Sequence, residues 1–130
     1  MRPIPVLLLA LAVAGCVTAP PRREFSVFFT GGSAALDPPA IDVVADAARA
    51  ADRFPTLPVT VAGYAGAHGT PKSELELAGL RARAVEERLV ADGVPASRLR
   101  RAEQAPVSYP ATPVESRRVD ISIGEAQARP

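Results

Sequence analysis

The sequence predicts an α+β fold in the order β-α-β-α-β-β, with two helices packed on one face of a mixed sheet. Three observations carry this. Two stretches hold apolar residues at helical spacing, each opened by a capping residue followed by proline. Short runs rich in Val, Ile, Thr and Phe, bounded by Gly and Pro, flank those stretches. The helices alternate with strands and strands close the order, which suits one helical layer on one sheet. A chain of 130 residues supports a single domain, and no internal repeat divides it.

The elements follow in order. Phe25 to Thr30 is aromatic and β-branched and stops at Gly31-Gly32, which predicts a strand. Asp37 then stands as N-cap before Pro38-Pro39, and Ile41, Val44, Ala45, Ala48 and Ala51 continue at helical spacing until Phe54-Pro55. Val59 to Tyr64 alternates as a second strand. Thr70-Pro71 opens a second helix that runs to about Asp92-Gly93. Its Leu75, Ala78, Ala82, Val85 and Leu89 make one apolar stripe. After a turn at Pro95-Ala96-Ser97, Leu99 to Glu103 reads as a short strand. Gln104 to Glu115, with three prolines, reads as a loop, and Val119 to Ile123 as the last strand. The domain is expected over residues 25–124, with a flexible tail over 125–130.

The N-terminus has a different character. Arg2 precedes an almost wholly apolar run from Ile4 to Gly15, with small residues just before Cys16. As a helix that run would reach only about 18 Å, short of the ~30 Å hydrocarbon core. Residues 1–15 are therefore expected to be a signal peptide rather than a permanent span. Cys16 is the only cysteine, so no internal disulfide forms. A lone cysteine is commonly a buried thiol. Val13-Ala14-Gly15-Cys16, however, resembles a bacterial lipobox, which implies lipidation of Cys16. Val17 after it resembles the usual case for outer-membrane sorting. Residues 16–24 are read as the lipidated cysteine and a short linker, in which Arg22-Arg23 is a solvated pair that could touch headgroups.

Losing Arg2 with the leader leaves equal numbers of basic and acidic side chains. A neutral domain has no electrostatic footprint for nucleic acid, and that class of partner is set aside. His68 is the sole histidine, with no second one to build a ligand set, so no metal or cofactor is implied. Ser26, Ser33, Ser73 and Ser108 lack the strand-turn-helix glycine setting of a nucleophile, and no carboxylate pair is poised for acid-base work. The chain is not expected to be an enzyme.

One run is specific. Val59 to Gly66, then Gly69, Leu77, Arg81-Ala82 and Val85, resembles the signature of OmpA-like domains of the peptidoglycan-associated lipoprotein type. Phe28-Phe29 matches the first-strand aromatic pair, Gly63-Tyr64 the end of the second strand, and Arg117-Arg118-Val119 the run before the last strand. The resemblance covers about residues 25–123. It implies noncovalent capture of the diaminopimelate side chain of the cell-wall peptide, a carboxylate beside an ammonium. Such a ligand needs a guanidinium for the carboxylate and an acid for the ammonium.

By that resemblance Arg81 occupies the carboxylate-binding position and Arg117 a second arginine near the pocket. Gly66 stands where the family carries aspartate, Glu74 where it carries asparagine, Ala78 in place of serine, and Thr30-Gly31 in place of an acidic loop. An ammonium desolvated without its acid typically costs about 2–5 kcal/mol. Glu74 lies seven residues before Arg81, nearly two turns and about 10.5 Å along the axis, and could supply the missing carboxylate. Each residue also has a plainer role open to it. Arg81 could cover apolar surface with its stem, Glu74 could serve the helix dipole, and Arg117 and Arg118 could pair with neighbouring acids.

The functional expectation is an outer-membrane lipoprotein, lipid-anchored on the periplasmic face, whose domain binds peptidoglycan and links membrane to wall. The alternative is a degenerate domain that kept the fold and acts as a structural module or a binder of envelope proteins.

Overall fold

Asp37 and Thr70 start the two helices, each with extended backbone and a proline directly after it. The Asp37 carboxylate accepts from the Ala40 N–H at 2.9 Å, and the Thr70 hydroxyl oxygen accepts from the Ser73 N–H at 3.2 Å. Each bond satisfies one of the orphan donors of a first helical turn. Helix α1 spans Pro38–Arg53 and α2 spans Pro71–Ala91. The strands are β1, Arg23–Phe28; β2, Val59–Gly63; β3, Leu99–Arg101; and β4, Arg118–Ile123, with a 3-10 turn at Ala96–Arg98 before β3. The computed structural model describes residues 15, 22–64, 70–102 and 116–124. Cys16, Gly66, His68, Gly69, the loop at 104–115 and the tail at 125–130 lie outside them.

The sheet is mixed and ordered β1-β4-β2-β3. β4 runs antiparallel to both β1 and β2, and β3 runs parallel to β2. Both helices pack on one face of it. Val27, Val59, Val61, Val119, Ile121 and Ile123 point inward from the strands and meet Val44, Ala47, Ala51, Ala82, Val85 and Leu89 from the helices. All of this core lies between Val27 and Ile123, so the chain after Cys16 carries the whole described fold.

The boundaries differ from the sequence reading in ways that pairing explains. β1 begins at Arg23, inside the stretch expected to be linker, because Arg23 and Glu24 stay in register with Ile123 and Ser122. Charged side chains are well suited to an edge strand. Arg22 and Arg23 are exposed, as a solvated pair should be, and each also makes a surface contact. Arg22 donates to the Ser122 hydroxyl at 3.2 Å and meets Glu24 at 2.9 Å, while Arg23 lies over the Phe54 ring at 5.3 Å. β1 stops at Phe28, although the Phe29 N–H still donates to the Arg117 carbonyl. Leu75, the first member of the expected apolar stripe, is 43% exposed, and the buried stripe of α2 starts at Ala78.

The ends of the sheet are distinct. Arg23, the first residue of β1, pairs with Ile123, which on its other side pairs with Val59, the first residue of β2. The last residues of β1 and β2 lie beside the start of β4. Both helices begin at that second end, about 17 Å along β1 from Arg23.

Arg98 closes the lower end of α1. Its Nη1 donates to the Ala51 carbonyl at 3.0 Å, and its Nη2 donates to Phe54 and Leu57 at 2.8 and 2.7 Å. Arg98 thus ties the last turn of α1 to the turn that follows it, where the Ala51 and Phe54 carbonyls also accept the Phe54 and Leu57 N–H groups.

Candidate functional site

Glycine at position 63 lets the end of β2 approach α2 more closely than any side chain would. A Cβ there would overlap the Ala78 carbonyl oxygen and press to 3.3 Å from the Ala82 Cβ. Arg81 sits on the same turn of α2, so this close approach carries its guanidinium inward. Arg81 is 1% exposed.

Its partners are backbone carbonyls of the segment between β1 and α1. Nε donates to Ser33 at 2.8 Å and Nη2 to Thr30 at 3.2 Å, while the guanidinium lies over the Phe29 ring at 5.5 Å. Arg117 bonds to the same segment. Its Nε donates to the Phe29 carbonyl at 3.2 Å, and its own carbonyl accepts the Phe29 N–H at 2.8 Å. Two arginines therefore clasp residues 29–33. The sequence singled out both arginines and the Phe28-Phe29 pair, but not the backbone carbonyls of Phe29 and Ser33 as their partners, which lie 48 and more residues away.

Burial pushes the Arg81 guanidinium down from its usual range, because the charged form loses its water. The Glu74 carboxylate acts in the opposite direction, and Arg117 adds to the depression. Glu74 is thus within electrostatic reach of Arg81. Among the described residues, no ion pair joins them. The arrangement is a buried cation backed by a second one, with a half-buried carboxylate standing off at a distance.

Arg118 is placed differently. Its side chain lies on the opposite face, where Nε meets Asp120 at 3.2 Å and the guanidinium lies over the Tyr64 ring at 4.4 Å. Ala78 is buried in the helix-sheet contact. Gly66 lies outside the described residues.

Two helices on this four-stranded mixed sheet define the OmpA-like α+β class. The chain belongs to the OmpA family, whose model matches residues 28–119. It is 33% identical over 98 residues to the peptidoglycan-associated lipoprotein of Agrobacterium fabrum, covering 71% of this chain and 55% of that relative. The chain therefore spans about half the length of the curated relative it matches.

Solved structures show the same fold. The peptidoglycan-associated lipoprotein of Burkholderia pseudomallei matches with TM-score 0.66 and 23% identity, over 76% of this chain and 89% of that one. The OmpA-like domain of FopA1 from Francisella tularensis gives 0.68 and 18%, over 82% and 77%. The periplasmic domain of Helicobacter pylori MotB gives 0.64 and 20%, over 78% and 69%.

Proposed function

We propose that this chain is a lipoprotein of the outer membrane whose periplasmic domain binds peptidoglycan noncovalently and so links membrane to wall. The observation that carries the reading is the buried Arg81, with Arg117 beside it and Glu74 in electrostatic reach. Arg81 receives the carboxylate of a diaminopimelate side chain and Glu74 its ammonium. The family membership and a relative named for its association with peptidoglycan support the same assignment. Cys16 is the lipidated residue. Six residue steps separate it from Arg22, a reach of at most about 22 Å. The tether therefore keeps the folded domain close to the membrane.

Retention of the 17–130 fragment on purified sacculi tests wall binding. Loss of retention, beside a retained control domain, would overturn it. Membrane fractionation of full-length Cys16→Ser tests the anchor, with release into the soluble fraction expected. If the variant stays with the membrane, Cys16 is not the tether.

A second reading has its own support. The donors of Arg81 that are seen bonded are engaged by Thr30 and Ser33, and Gly66 offers no acid. On that reading Arg81 is a structural clasp, and the domain serves as a structural or protein-binding module in the envelope. An Arg81→Lys variant that loses stability while wild type shows no sacculus retention would favour it.

A further inference from the structure

Phe28, Arg118 and Tyr64 stand in one row across the face of the sheet opposite the helices. Phe28 pairs with Arg118 in register, and on the other side the Tyr64 N–H donates to the Arg118 carbonyl at 2.9 Å. Their inward neighbours Val27, Phe29, Val119 and Gly63 are buried, so alternation turns this row outward. The Arg118 guanidinium lies over the Tyr64 ring at 4.4 Å and its Nε donates to Asp120 at 3.2 Å. Asp120 also accepts from the Ser26 hydroxyl at 2.8 Å. Phe28 is 46% exposed. Two strand spacings separate the aromatic positions, about 10 Å, with the bonded Arg118–Asp120 pair between them.

An exposed phenylalanine beside a fixed ion pair contributes little to the core. It offers a flat apolar surface next to planar polar groups held in place. Pyranose rings match that combination, since their C–H faces lie on aromatic rings while their hydroxyl and amide rims bond to guanidinium and carboxylate. An apolar peptide is a poor match, because the next row, Ser26, Asp120 and Ala62, is mostly polar. A polyanion lacks the surplus positive charge it needs.

We propose that this row binds N-acetylhexosamine rings of a glycan strand. The assignment deepens the peptidoglycan reading and rests on it for the source of the sugar. Phe29 and Arg117, the chain neighbours of Phe28 and Arg118, belong to the Arg81 clasp. One end of the β1–β4 pair thus presents a peptide site on one face and a sugar site on the other.

The test is a pair of NMR titrations of the 17–130 fragment. One uses N-acetylchitotriose, which has no peptide, and the other a diaminopimelate-containing stem peptide, which has no sugar. Millimolar trisaccharide is expected to move the amide resonances of Phe28, Tyr64, Arg118 and Asp120 and to leave Glu74 and Arg81 in place. Phe28→Ala and Asp120→Asn should each weaken the trisaccharide roughly fivefold, with stem-peptide binding unchanged. Phe28→Tyr should retain binding, and unaltered spectral dispersion in Asp120→Asn shows that the fold persists. Absence of trisaccharide shifts, or shifts of full affinity in both weakened variants, would overturn the proposal. Failure of the stem peptide alone would instead overturn the Arg81–Glu74 reading.

Discussion

Gly63 and Ala78 are in direct backbone contact: the place a side chain would take on the strand residue is filled by the carbonyl oxygen of the helix residue. Because the obstacle is backbone, no rotamer change relieves it. Gly63→Ala is expected to destabilise the domain by about 1–3 kcal/mol, or roughly 5–20 °C in Tm. Thermal unfolding followed by circular dichroism measures it. An unchanged Tm would show that α2 can slide away from β2 at little cost.

Arg81 is expected to be irreplaceable by lysine. A single ammonium on a thinner stem cannot serve the Ser33 and Thr30 carbonyls in one plane and lie over Phe29 as the guanidinium does. Arg81→Lys should cost about 1–3 kcal/mol of stability and abolish sacculus retention. Urea unfolding reads the first effect and a sacculus pulldown the second. Full retention by the lysine variant would remove the guanidinium from the binding site.

The missing acid makes an opposed pair of predictions. Gly66→Asp should raise affinity for the wall, recovering part of the roughly 30- to several-thousand-fold deficit that an unpartnered ammonium carries. Glu74→Gln should lower it, because it removes the carboxylate that acts on Arg81. Quantitative sacculus binding of both variants decides the matter. If Glu74→Gln binds as wild type does, Glu74 is only an acid at the start of a helix.

Arg98 has a structural prediction of its own. Arg98→Ala withdraws donors from the carbonyls of Ala51, Phe54 and Leu57 together. A loss of about 2–4 kcal/mol is expected, several charged hydrogen bonds discounted for partial exposure. Hydrogen exchange should quicken first in the last turn of α1. Uniform exchange along α1 would show that Arg98 does not act locally.

The fold was legible where its causes are local. Asp37 and Thr70, each followed by proline, mark the helix starts because capping needs only the neighbouring backbone. The alternation from Val59 marks a strand for the same reason. The strand order β1-β4-β2-β3 is different, because it depends on pairings between residues as far as a hundred apart, such as Arg23 with Ile123. That pairing also drew Arg23 and Glu24 into β1, where an edge strand accommodates their charge. Leu75 misled in the other direction: it keeps the helical period but is largely exposed, one turn before the buried stripe of α2 begins at Ala78.

The site divides in the same way. Arg81 and Arg117 stood out through the family spacing, and Glu74 through its distance from Arg81 along the helix. Their attachment to the carbonyls of residues 29–33 could not be read, since any arginine can donate to any carbonyl that tertiary structure brings near. Arg98 carried even less signal. It follows a turn at Pro95, and nothing in that local sequence points to the end of α1 some forty residues earlier.

The placement of β1 has a mechanical consequence. The strand begins at Arg23 and runs to the segment that Arg81 grips through Thr30 and Ser33. A pull applied at Arg22 and resisted at Arg81 runs along this strand. The ladder between β1 and β4 lies across that line, so its bonds are loaded together in shear rather than peeled one by one. Tension between the two ends of the domain meets six paired residues at once.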